Sequence, residues 1–103
     1  MIDKKILNMA IKKYGADTQQ DMVIEEALEL ALAILKHRRA VKEGYPATIL
    51  SRRTNVVEES ADTRVMLEQV DMMFDCEEEV KQQIEYKVNR LKERLENENF
   101  SCM

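Results

Sequence analysis

The stretch "MVIEEALELALAIL", Met22 to Leu35, decides the reading of the fold: it is apolar almost throughout, and only Glu25, Glu26 and Glu29 interrupt it. Such a run reads as a helix covered on nearly every side. An ionised acid taken out of water in that setting must be paired, protonated or bound to a metal. On a wheel of about 100° per residue the three acids share an arc of roughly 100°, together with Met22 and Ala33. They point the same way.

Working outward, "DTQQ" offers Asp17 as an N-cap with Gln20 three residues on, a capping-box spacing that leads into the run. "KHRR", Lys36 to Arg39, places positive charge where the dipole of that helix is negative. Upstream, Ile2, Ile6, Met9, Ala10 and Lys13 recur at helical spacing, and Gly15 is a natural cap for the helix they form. Downstream, "AVKEGYPATILSRRT" carries Gly44 and Pro46 without a sustained period and reads as a long connection. Asn55 followed by Glu58 is a second capping-box spacing, opening a third helix that ends near Phe74. Val80, Ile84, Val88, Leu91 and Leu95 form the stripe of a fourth. The expectation is one all-α domain over residues 1–103: helices at roughly 2–14, 18–39, 56–74 and 76–97, a connecting loop over 40–55, and a four-helix bundle. A core this small points to completion by homo-oligomerisation, as a homodimer or homotetramer.

A formal net charge of −4, a pI near 5.1 and the lack of a long basic stripe argue against a duplex nucleic acid as partner. Cys76 and Cys102 are too few for a disulfide framework or a zinc knuckle, which leaves them reduced, in a cytoplasm. Charges spread through "MIDKKILNMAIKKYG" are unlike a signal peptide, and no run approaches transmembrane length. A soluble cytoplasmic protein with no membrane partner is expected.

In the third helix Glu59 and Asp62, three apart and therefore neighbours, sit on the stripe shared by Met66, Val70 and Met73. Two helices then carry acids on their inward stripes. Facing each other, these acids repel, and their pKa values rise unless a cation intervenes. Ligation by oxygen alone selects Mg²⁺, with Mn²⁺ as a substitute, over zinc. Magnesium also explains how an acidic chain holds a polyanion.

"EEALE" (Glu25 to Glu29) followed by "ESAD" (Glu59 to Asp62) resembles the EExxE…ExxD signature of MazG-like nucleotide pyrophosphohydrolases, an all-α superfamily that includes dimeric dUTPases. The segments "YGADTQQDMVIEEALELALAILKHRR", "NVVEESADTRVMLEQV" and "KVNRLKERL" extend the resemblance from about residue 13 to 95. Thr63 stands where relatives commonly carry an aliphatic residue, and the interval between the motifs is near the long end for the family. The resemblance implies hydrolysis of a nucleoside triphosphate to the monophosphate and pyrophosphate. By motif position it implies Mg²⁺ ligation by Glu26, Glu29, Glu59 and Asp62, with Glu25 a further ligand or the group that orients the attacking water. Lys87 and Arg90 match basic residues of the family segment that grip phosphates; a snorkelling lysine and a surface arginine are the alternative.

Ser51, Arg52 and Arg53 on the expected connection are placed to close over a triphosphate or to remain a solvated basic loop; Arg53 is the substrate-binding candidate among them. Glu58 is explained by its capping-box position. His37, the only histidine, counts against a di-iron bundle, which wants a Glu-x-x-His pair from each of two helices. The rival to the enzyme is a non-enzymatic helical interaction module whose acids are salt-bridged across a dimer interface.

Overall fold

The computed structural model describes residues 2–102, with side chains described through Glu98. The described residues form four helices, α1 (Lys4–Tyr14), α2 (Ala16–Glu43), α3 (Pro46–Met73) and α4 (Glu77–Cys102), and no strand. Contacts group them into two units, Met1–Met73 and Phe74–Met103.

The start of α1 is set by Asp3, whose side chain accepts from the Lys5 N–H at 2.9 Å. Its end is set by Gly15, at φ 92° and ψ 148°, whose N–H donates to the Ile11 carbonyl at 2.9 Å. That backbone conformation is open essentially to glycine alone, and it redirects the chain within one residue. Helix α2 therefore begins at once, at Ala16. Asp17 is not its cap, as its spacing to Gln20 suggests; it lies in the first turn, where its charge suits the helix dipole.

The expected loop over 40–55 is a correction. Helix α2 runs through "KHRR" to Glu43, and Gly44, left-handed at φ 83°, closes it by donating to the Ala40 carbonyl at 2.9 Å. Pro46 is already the first residue of α3, where its missing N–H costs nothing. Gly44 and Pro46 thus act together as one stop and one start, and no breaker follows them to hold residues 47–55 open. Three readings fall with the loop. Asn55 lies inside α3 rather than capping it, Ser51, Arg52 and Arg53 are helical, and His37 sits well inside α2, whose last-turn cation is Lys42.

With so short a turn, α2 and α3 pack antiparallel as the main body of the first unit, and α1 packs against both. Ala33 and Ala40, both buried, let the two long backbones approach closely. Met66 and, from α1, Leu7 complete a small apolar core. The Thr63 hydroxyl donates to the Glu26 carbonyl across the hairpin at 3.2 Å.

In the second unit, Glu77, Glu78 and Glu79 occupy the first turn of α4, favourable for its dipole. Lys81 pairs with Glu77 and Glu78, and Lys92 with Glu96. The expected stripe on α4 is present, with Ile84, Val88, Leu91 and Leu95 all exposed. The Cys76 side chain is half-buried, and that of Cys102, expected reduced, lies outside the described residues. No described helix is long and apolar enough to cross a membrane.

Candidate metal centre

Glu26 and Glu29, three apart on α2, fall on the side turned to α3, and Glu59 meets them from that helix. One carboxylate oxygen from each lies within 4.8 Å of the others. Glu26 and Glu59 are half-buried, and each buries its Oε2 with no hydrogen-bond partner. Glu29 is exposed at the mouth of a cavity of about 330 Å³ that it shares with Leu32, Ala33, Lys36, Asn55 and Glu59.

The charges oppose one another. The negative charge of Glu59 is the main reason the Glu29 carboxyl is held above its ordinary 4.5; loss of water follows, and Glu25 and Asp62 add to it. Burial is the main reason the Glu59 carboxyl is raised, with Glu26 and Asp62 next. None of these five acids lies in an ion pair among the described residues. No salt bridge among the described residues relieves the repulsion.

Comparison with protein-family models, curated proteins and solved structures finds no match. What the cluster can hold follows from its donors. Octahedral Mg²⁺, with bonds of about 2.1 Å, keeps its ligand oxygens about 3 to 4.2 Å apart. Three carboxylate oxygens within 4.8 Å of one another need only small side-chain movements to meet that demand. The two orphaned buried oxygens lack a positive partner, and an all-oxygen set suits a hard divalent ion. The residues present fit the ion.

The other candidates are spread more widely. Glu25 is exposed and Asp62 acts on both Glu29 and Glu59, but neither belongs to the converging trio. Asp62 instead joins Glu26 in a second recess of about 220 Å³, walled by Met22, Val65 and Met66. Arg53 is exposed on α3 and has no loop to move with. Lys87 and Arg90 are exposed on α4, in the second unit, and the Arg90 guanidinium lies 5.9 Å from the Tyr86 ring centre. Two polar residues of the cavity carried no such expectation. Asn55 sits one turn before Glu59 and Lys36 two turns after Glu29, so the i, i+4 and i, i+7 spacings from the acids were the signal for both.

Proposed function

We propose that this chain is a Mg²⁺-dependent nucleoside triphosphate pyrophosphohydrolase of the MazG-like kind, working in the cytoplasm as a homo-oligomer. The convergence of Glu26, Glu29 and Glu59, unpaired and partly dehydrated, carries the reading. These three residues, with Asp62 as a fourth ligand, hold the ion. When bound, Mg²⁺ supplies the positive charge that polarises the phosphate oxygens and offsets the charge of the leaving pyrophosphate. Glu25, at the edge of the cluster, orients a water molecule toward the α-phosphorus. The bond between that phosphorus and the bridging α,β oxygen breaks, and the products are the nucleoside monophosphate and pyrophosphate.

Self-association is supported by the outer face of α2. Ile24, Leu28 and Leu35, spaced as a helical stripe, are 59%, 65% and 41% exposed. An apolar stripe of that length on a chain with so small a core calls for a cover, and a second copy supplies one.

The test is pyrophosphate release from a panel of canonical, deoxy and modified nucleoside triphosphates, with Mg²⁺ or with chelator, for the native chain and Glu59→Gln. Turnover that needs both the metal and Glu59 is the expected result. Silence across the panel, with no metal binding by calorimetry, overturns the reading in favour of the interaction module.

A further inference from the structure

Beyond the acids, toward the turn of the hairpin, a third recess of about 190 Å³ is lined by Lys36, Arg39, Ala40, Glu43, Thr48 and Arg52. Lys36 is in the wall of this recess and in the wall of the acidic cavity, so the two adjoin. Its lining sets three cations against one carboxylate, in a chain whose net charge is −4. Lys36, Arg39 and Arg52 have no carboxylate within 4.0 Å among the described residues, Glu43 included. Like charges gathered without counter-ions repel, and an anion between them removes that repulsion. Thr48 also lines the recess and lies in the first turn of α3, its N–H ahead of the first ladder bond, from the Ile49 N–H to the Tyr45 carbonyl at 3.0 Å.

We infer that the recess formed by Lys36, Arg39, Thr48 and Arg52 is a polyphosphate subsite that receives the end of a phosphate chain whose other end lies at the acidic cluster. Glu29 and Lys36 are seven residues apart on one helix, about 10.5 Å along its axis. Flexible side chains at both ends reach inward from that span. A triphosphate bridges the two recesses, whereas a diphosphate leaves the basic one partly empty, so the subsite selects substrates by the length of their phosphate chain. Arginine suits the task, because its fork of N–H groups matches phosphate oxygens two at a time. The anion recess stands on its own lining; its assignment to the distal phosphates of a nucleotide rests on the hydrolase reading above.

The experiment is calorimetric titration of the full chain with inorganic triphosphate and with pyrophosphate in the presence of chelator, repeated for Arg39→Gln with Arg52→Gln and for Glu59→Gln. Arg39 is exposed and Arg52 half-buried, so the double variant removes no buried residue, and its circular dichroism and Tm report folding. The subsite predicts that the native chain and Glu59→Gln bind triphosphate more tightly than pyrophosphate, and that the folded double variant binds triphosphate at least about 10-fold more weakly, one lost charge-assisted contact being worth that much. Absence of binding to the native chain, or equal binding by the folded double variant, overturns it. If no nucleotide is hydrolysed while this pattern holds, the hydrolase reading falls and the anion subsite stands. If nucleotides are hydrolysed and the double variant keeps the native ratio of kcat/KM between tri- and diphosphates, the length-selecting role falls and the hydrolase reading stands.

Discussion

Thr63 on α3 hydrogen-bonds the backbone carbonyl of Glu26 on α2, so the residue that follows the Asp62 acid clamps the backbone of an acid on the opposite helix. An aliphatic residue there would pack but could not set that distance. Thr63→Val is expected to cost about 1 kcal/mol of stability, the worth of a typical hydrogen bond, and to weaken Mg²⁺ binding more than a remote change of equal cost. Chemical denaturation together with metal titration checks both.

The acids should make the metal-free protein less stable as pH rises. Glu29 and Glu59 both have folded-state pKa values raised above their ordinary 4.5. Above pH 4.5 the folded state then holds more protons than the unfolded one, and stability falls as pH climbs through the raised values. In chelator, Tm should fall with pH over that window more steeply for the native chain than for Glu29→Gln. At neutral pH, Mg²⁺ at about 100 times its Kd should return roughly 2.7 kcal/mol. Thermal scans across pH with and without Mg²⁺ read both effects.

Replacing an acid of the trio should separate folding from chemistry. Glu29→Gln and Glu59→Gln each remove a repulsive charge, so the metal-free chain should be as stable as the native one or more so. Turnover should drop by about 100-fold or more, by analogy with removal of one charge-stabilising group elsewhere. Steady-state kinetics beside denaturation curves separates the two effects.

The two glycines should differ in what they tolerate. A Cβ on either meets no atom within 4 Å, so the cost of alanine is conformational alone. Gly44→Ala at the left-handed cap should cost about 1–2 kcal/mol. Gly15→Ala, in a region that L residues almost never enter, should cost about 1–3 kcal/mol and the more of the two.

Leu28, 65% exposed on the outer stripe of α2, offers a test of association. Leu28→Lys should leave the helical content of the isolated chain unchanged while shifting sedimentation toward the monomer.

Helical content and the two acidic patches were legible because they rest on local spacing. The i, i+3 placement of Glu26 with Glu29 needs nothing beyond one helix to bring them together. The turn is not legible because Gly44 and Pro46 suggest irregularity over many residues, whereas each acts at one position, one ending a helix and the other opening the next. Asp17 misled for a related reason: its capping spacing competed with Gly15, whose backbone had already fixed the start of α2. The basic recess was not legible, since Lys36 and Arg52 are remote in sequence and meet only when the hairpin closes.

The two-residue turn makes the hairpin a counting device. Glu29 precedes Gly44 by fifteen positions, and Glu59 follows it by fifteen; Lys36 and Arg52 stand eight positions before and after. An insertion or deletion of one residue between the turn and either acid swings that acid by about 100° around its helix and slides it by about 1.5 Å. Length change is therefore tolerated beyond the acids, whereas a single residue added or lost between the turn and Lys36, or between the turn and Arg52, puts both recesses out of register at once.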